Sequence, residues 1–291
     1  MTDNRMKSIC QKRTRIGDNI LKVLIYLAAG VAIALLVGIM GYVFVRGLPQ
    51  VSCQLLSTVQ SSLKGTFGIL GNIINTIYII VITLIIAAPI GIGSAIYLNE
   101  YAKPGKLVRT IEFTTEILSG IPSIIFGLFG MVFFGMTLKL GYSVLTGSFT
   151  LTLMVLPLIT RNTQEALKTV PDSYRSGALG IGATKWYMIR TILLPSAAPG
   201  ILTGVILSIG RIVGESAALL FTAGSGFQLP KNLFGKLFES SGTLTIQLYL
   251  SMQKAKYDQA FGIAVVLLII VLGINLLTRF LTNRFDVTKL K

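Results

Sequence analysis

The sequence predicts an all-α, polytopic membrane protein with about six transmembrane helices. Three observations carry that prediction. Of the 291 residues 53% are hydrophobic, and only 13% are charged, against about 25% in soluble domains. Several apolar runs also reach the roughly 20 residues that a helix needs to cross about 30 Å of hydrocarbon. With a mean hydropathy of +0.75 the chain has too few polar side chains to cover its apolar surface in water.

In chain order, the apolar runs place spans at about 20–45, 69–98, 110–137, 148–168, 196–223 and 258–282. The first follows a basic tail, residues 1–19, that contains "RMKSICQKRTR". Its apolar run is too long for a signal-peptide core and has no small-x-small cleavage pattern, so it reads as an uncleaved helix. Pro89 in "AAPIGIG", Pro122 in "SGIPSIIFG", Pro157 in "VLPLIT" and Pro199 in "SAAPGIL" fall inside later spans. They either shape tightly packed helices or supply kinks at which a pathway opens. Polar Asn72, Asn75, Thr76, Ser119 and Ser123 carry the same pair of readings. Between the last two spans, residues 225–257 form an extracytoplasmic loop in which "NLFGKLFES" sets Leu233, Phe234, Leu237 and Phe238 on one helical face. An interfacial helix covering a gate and a solvent-side loop both fit that pattern. The membrane domain is thus 20–282, followed by a short tail, 283–291.

Six spans put both ends on one side, and positive charge decides which. Arg5, Lys7, Lys12, Arg13, Arg15 and Lys22 cluster at the first span's start; Lys103, Lys106 and Arg109 follow the second. Arg161, Lys168, Arg175, Lys185 and Arg190 surround the link between spans four and five, and Arg279, Arg284, Lys289 and Lys291 close the chain. Seven other basic residues, Lys236 among them, fall on the opposite side. The positive-inside rule makes both termini cytoplasmic. The net charge of +15 therefore belongs to the membrane topology and implies no nucleic-acid partner.

The same residue inventory narrows the chemistry. The chain has no histidine, and its two cysteines, Cys10 and Cys53, flank the first span on opposite sides. Common zinc sites and Ser-His or Cys-His catalysis are excluded, and no internal disulfide is expected. A phosphate-cradling GxxxxGK[ST] loop is missing as well, so energy for any transport comes from a partner or a gradient.

Within the fifth span, "GRIVGESAALLFTAG" carries Arg211 and Glu215 in an apolar setting. Each charge costs roughly 2.5–3.5 kcal/mol near the middle of a bilayer unless it pairs or faces water. Their i, i+4 spacing puts both on one face of a continuous helix, where they can pair. A structural ion pair is one reading. The other has this face lining a translocation path, with Arg211 offering a permanently charged fork to an anion and Glu215 keeping that fork from trapping it.

Outside the membrane the most informative stretch is the cytoplasmic loop 169–195, within "KTVPDSYRSGALGIGATKWYMIRTILLPSAAPG". Thr169 and Asp172, with Pro171 between them, start a short helix that Gly180 and Gly182 end; Thr184 caps a second that carries Trp186, Ile189 and Leu193 and stops at Pro195. Two amphipathic helices joined by glycine suit docking to another protein or lying on the lipid surface. Gly182 followed after nine residues by Ile192, Leu194 and Pro195 resembles the EAA loop of ABC importer permeases, EAA-x3-G-x9-I-x-L-P. The triplet itself reads Ser176-Gly177-Ala178, without the glutamate.

"NTIYIIVITLIIAAPIGIGSAIYLNEYA", "SGIPSIIFGLFGM", "GRIVGESAALLFTAG" and "LGINLLTRFLTNRF" narrow the resemblance to the A-type permease subunit of phosphate ABC importers, across most of residues 70–284. One departure is Ala218, where that family has proline. The resemblance implies a type I (MetI-like) permease fold in a bacterial or archaeal inner membrane. It implies a half-transporter paired with a sister permease, two ATPase subunits and an extracytoplasmic phosphate-binding protein, moving inorganic phosphate inward. ATP and magnesium would be held by the ATPase, with no cofactor in this chain. By the same resemblance Ser176, Gly177, Ala178, Gly182, Trp186, Ile192, Leu194 and Pro195 form the ATPase-docking loop. Against it stand a permease for another oxyanion, a secondary anion carrier, which calls for an inverted internal repeat, and a lipid-phosphate enzyme, which calls for a nucleophile and an acid or base at the interface. Neither the repeat nor the cluster is visible in the sequence.

Overall fold

The computed structural model describes residues 16–61, 66–230 and 232–285 and divides after Arg46 into two compact units. Cys10, most of the expected tail 1–19, Lys231 and residues 286–291 lie outside the described residues. The described part of the first unit, residues 16–46, belongs to helix α1 (Ile16–Gly47), most of whose apolar side chains are exposed. Near its end the Arg46 guanidinium sits 5.9 Å from the Tyr42 ring centroid, a cation–π contact.

The second unit opens with α2 (Cys53–Ser57), capped by Ser52 Oγ accepting from the Leu55 N–H at 3.1 Å. Next comes an antiparallel ribbon of β1 (Val59–Ser61) and β2 (Thr66–Ile69), which the all-α expectation did not contain. There follow α3 (Leu70–Tyr101), α4 (Lys106–Gly120), α5 (Ser123–Thr137), α6 (Val144–Lys168), α7 (Asp172–Gly180) and α8 (Lys185–Gly214). The short helices α9 (Ala217–Thr222) and α10 (Leu233–Lys236), then α11 (Leu244–Gln253) and α12 (Tyr257–Phe285), complete the described chain. Among these, five helices are long and apolar enough to cross a membrane, and six if α4 and α5 count as one span.

Two expected spans are differently built. The run 110–137 is broken rather than continuous: α4 and α5 meet at 102° across Ile121 and Pro122. Proline has no N–H to continue a helix and drives its predecessor out of the helical region, and Ile121 is indeed extended at φ −71°, ψ 132°. The run 196–223 is likewise divided. Here α8 begins back at Lys185, passes through Pro195 by way of a π-helical turn at Ile189–Leu193, and ends at Gly214. The second helix of the cytoplasmic loop therefore does not stop at Pro195, because the widened turn accommodates a residue that cannot donate. Pro89, Pro157 and Pro199 stay inside helices.

Helices α3, α6 and α8 form the centre of the second unit. Ile79, Ala87, Leu151, Val155, Ile159, Ile212 and Val213 belong to the main apolar cluster, while Leu167, Met188, Ile189, Leu193 and Ala197 belong to a second at the loop 169–195. Backbones approach closely where α6 meets α8. A Cβ at Gly204 would lie 2.7 Å from Asn162 Cβ, so only glycine allows this packing.

Candidate functional site

Two constellations carry chemistry: a knob at the loop 169–195 and a cleft between spans. The knob starts at Pro171, not Thr169. Thr169 ends α6 instead, its hydroxyl donating to the Ala166 carbonyl at 2.8 Å, and Pro171 is the N-cap of α7. A left-handed Gly182, φ +83°, then closes α7. Its N–H donates to Leu179 O at 3.0 Å and the Ala183 N–H to Ala178 O at 3.1 Å, the two bonds of a Schellman ending. Thr184 Oγ1 caps the start of α8 by accepting from the Tyr187 N–H, as its position in the sequence implied.

Arg175, inside "DSYRSG", locks the knob to the spans. Its Nη2 donates to Glu100 Oε1 at 2.9 Å and to Leu167 O, its Nη1 to Val170 O and to Asp172 Oδ1, and its Nε to Glu100. The Glu100 side chain is only 5% exposed. Hydrogen bonding to that carboxylate raises the Arg175 pKa further above its ordinary value. Lys185 adds a second tie, its Nζ 4.9 Å from the Tyr101 ring centroid. Both ties join the knob to the end of α3, and neither was read from the sequence, because 75 residues separate Glu100 from Arg175.

The knob's free face differs from the expected docking set. Tyr174, Leu179, Ile181, Trp186 and Tyr187 are exposed, Ile181 at 86%. Of the eight residues implied by the resemblance, Trp186, Ser176, Gly177, Gly182 and Pro195 are exposed. Ala178 is buried, and Ile192 and Leu194 pack into the second apolar cluster. Those three support the knob rather than face a partner.

Deeper in the bundle, α4, α6 and α8 enclose a cleft of about 270 Å³. Glu112, Thr115, Glu116 and Ser119 line it from α4, Pro157, Leu158, Arg161 and Gln164 from α6, and Arg211 from α8. At about 30 Å³ per water, the space takes a small oxyanion with part of its hydration. Arg161 Nε donates to Glu165 Oε1 at 2.9 Å, an exposed pair of little energetic weight. Gln164 Nε2 reaches Glu112 Oε1 at 3.4 Å. Among the described residues, the Arg211 guanidinium and the Glu116 carboxylate make no side-chain hydrogen bond or ion pair.

The expected Arg211–Glu215 pair does not form. Because α8 ends at Gly214, Glu215 is extended (φ −80°, ψ 126°), and its Oε1 instead accepts from the Ala218 N–H at 3.0 Å at the start of α9. The i, i+4 argument fails with the helix that it assumed. Arg161, counted by sequence among the residues of the cytoplasmic link, joins Arg211 in the cleft. The spacing of Glu112, Thr115, Glu116 and Ser119, one helical face by i, i+3, i+4, i+7, was a legible signal that went unread.

On the opposite side, residues 223–244 are packed over the ends of α3 and α6. Asn72 Nδ2 donates to Gly242 O at 2.9 Å, Asn75 Nδ2 to Gly226 O at 3.1 Å, and the Leu244 N–H to Thr76 Oγ1 at 3.0 Å. These three polar residues hold backbone, as the structural one of their two readings requires. Leu233, Phe234 and Phe238 are exposed while Lys236 is 1% exposed, its Nζ donating to Gln228 O at 2.8 Å. The single apolar face expected of "NLFGKLFES" is therefore not buried as one; only Leu237 of the four packs on the core.

Comparison with known proteins gives a consistent result. Residues 87–288 match the family model described as binding-protein-dependent transport system inner membrane component. The probable ABC transporter permease protein YqgI of Bacillus subtilis is 34% identical over 92% of this chain and 95% of its own length. A phosphate transport system permease protein PstA of Mycobacterium leprae is 32% identical over 94% of this chain and 91% of its own. Among solved structures, a bacterial alginate ABC transporter in complex with its alginate-bound periplasmic protein matches at TM-score 0.69, with 16% identity over 93% of this chain and 96% of that one. An inward-facing MetNI methionine ABC transporter matches at TM-score 0.56 and 20% identity, over 75% of this chain and 94% of that one.

Proposed function

We propose, from the premise that this chain belongs to the binding-protein-dependent transport system inner membrane component family, that it is the permease subunit of an ATP-driven phosphate importer. The chain is an ABC transporter permease and a multi-pass membrane protein, which sets the secondary-carrier and lipid-enzyme readings aside. In the proposed complex it forms half of the translocation path with a sister permease. Two ATPase subunits, which hold ATP and magnesium, dock on the exposed face around Ile181 and Trp186, and an extracytoplasmic binding protein delivers phosphate. Both termini are cytoplasmic.

The observation that carries the reading is Arg211, a guanidinium without a partner among the described residues, turned into a cleft between membrane-spanning helices. Such a charge is costly there unless water or an anion meets it, and its forked donors suit tetrahedral oxyanions. Several relatives named as phosphate transport permeases support the choice of anion. Glu215 contributes at one remove, holding the start of α9 beside the Arg211 turn.

The test is Arg211→Gln in the complex reconstituted with its sister permease, ATPase and binding protein. Assembly and membrane insertion should persist while phosphate uptake falls at least about tenfold. Uptake near the unsubstituted level in an assembled complex would overturn the role of Arg211. Transport of another oxyanion in preference to phosphate would overturn the substrate.

A further inference from the structure

An anion path with carboxylates in it needs an explanation. The cleft's two sides differ in hydrogen-bonding character. On α6 and α8, Arg161 and Arg211 offer only donors. On α4, every polar side chain offers only acceptors. Glu112 and Glu116 are carboxylates, and the two hydroxyls have already spent their protons on their own helix, Thr115 Oγ1 donating to Ile111 O at 2.8 Å and Ser119 Oγ to Glu116 O at 2.7 Å. Gln164 engages Glu112 through Oε1 alone, leaving Oε2 open. The Glu116 carboxylate has no hydrogen-bond or ion-pair partner among the described residues.

A ligand lying between these walls must accept on one side and donate on the other. A fully deprotonated oxyanion such as sulfate meets the guanidiniums well but presents lone pairs to carboxylate lone pairs. An oxyanion that keeps a proton near neutral pH, hydrogen phosphate or hydrogen arsenate, donates its O–H to a carboxylate oxygen while its other oxygens accept from the arginines. We infer that Glu112 and Glu116 are specificity-determining residues that select a protonated tetrahedral oxyanion inside the permease itself. This rests on the anion-path reading of the cleft. Glu112 is half-buried and Glu116 exposed, and a bound anion that covers either carboxylate without donating to it is disfavoured by about tenfold or more.

The experiment measures maleimide labelling of a cysteine in the cleft. Leu158→Cys, in a Cys10→Ser, Cys53→Ser background, places the reporter on an apolar lining residue of the complete complex in lipid nanodiscs. Phosphate and arsenate should each slow labelling at concentrations about tenfold lower than sulfate. Adding Glu112→Gln and Glu116→Gln, which turns acceptors into groups that also donate, should bring sulfate to parity with phosphate. If no anion slows labelling, the cleft is no anion site, and the path reading and this inference fall together. Equal protection by phosphate and sulfate in the parent leaves the anion site standing and sinks the selection by carboxylates. So does unchanged selectivity in the doubly substituted complex. The parent comparison needs no Glu→Gln variant to fold.

Discussion

Arg211 and Glu215 show how much a residue's role depends on where its helix ends. As neighbours on one helical turn they would pair, and removal of both charges would be nearly neutral. With the helix ending at Gly214 they do separate work, one facing a cleft and the other capping α9. The Arg211→Gln, Glu215→Gln double variant should therefore transport no better than Arg211→Gln alone, which phosphate uptake into proteoliposomes measures. Recovery of uptake in the double variant would restore the pair. The residue type at 211 was readable as a signal, since a guanidinium in an apolar span demands a reason. Its true companions, Arg161, Glu112 and Glu116, come from two other helices and were hidden by sequence distance.

The knob at residues 171–195 is a lesson at the scale of elements. Its turn follows from one backbone angle: Gly182 at φ +83° closes α7, and a side chain there meets nothing within 4 Å. Gly182→Val thus acts only through the backbone, where a left-handed conformation costs a β-branched residue roughly 1–2 kcal/mol or more. Membrane insertion should persist while ATPase co-purification and uptake fall together; intact co-purification would contradict the docking assignment. The glycine, the Thr184 cap and the following helix were all legible locally. What held the knob was not: Glu100 and Tyr101 come from the end of α3, and burying Glu100 against the Nε and Nη2 donors of Arg175 makes that junction stiff. Proline effects split in the same way. Pro122 breaks its span while Pro89, Pro157 and Pro199 do not, because each outcome depends on whether neighbouring helices support the weakened turn.

For the whole molecule, the distribution of Lys and Arg predicts the orientation, and Cys53 at the start of α2 tests it. An impermeant maleimide should label Cys53 in intact cells, whereas Lys185→Cys in a Cys10→Ser, Cys53→Ser background should label only after permeabilisation; the reverse pattern would invert the topology. Fold class, the approximate spans and the helix-glycine-helix build of the loop 169–195 were determined by the sequence alone. Apolar runs of membrane length, charge asymmetry and glycine or proline at fixed offsets are local properties, and a bilayer rewards them one segment at a time. Tertiary structure decided the break between α4 and α5, the early end of α8, the tie of Glu100 to Arg175 and the two-walled cleft. Each of these depends on groups from different helices meeting, and hydrophobic periodicity within a single span carries no record of which face meets which neighbour.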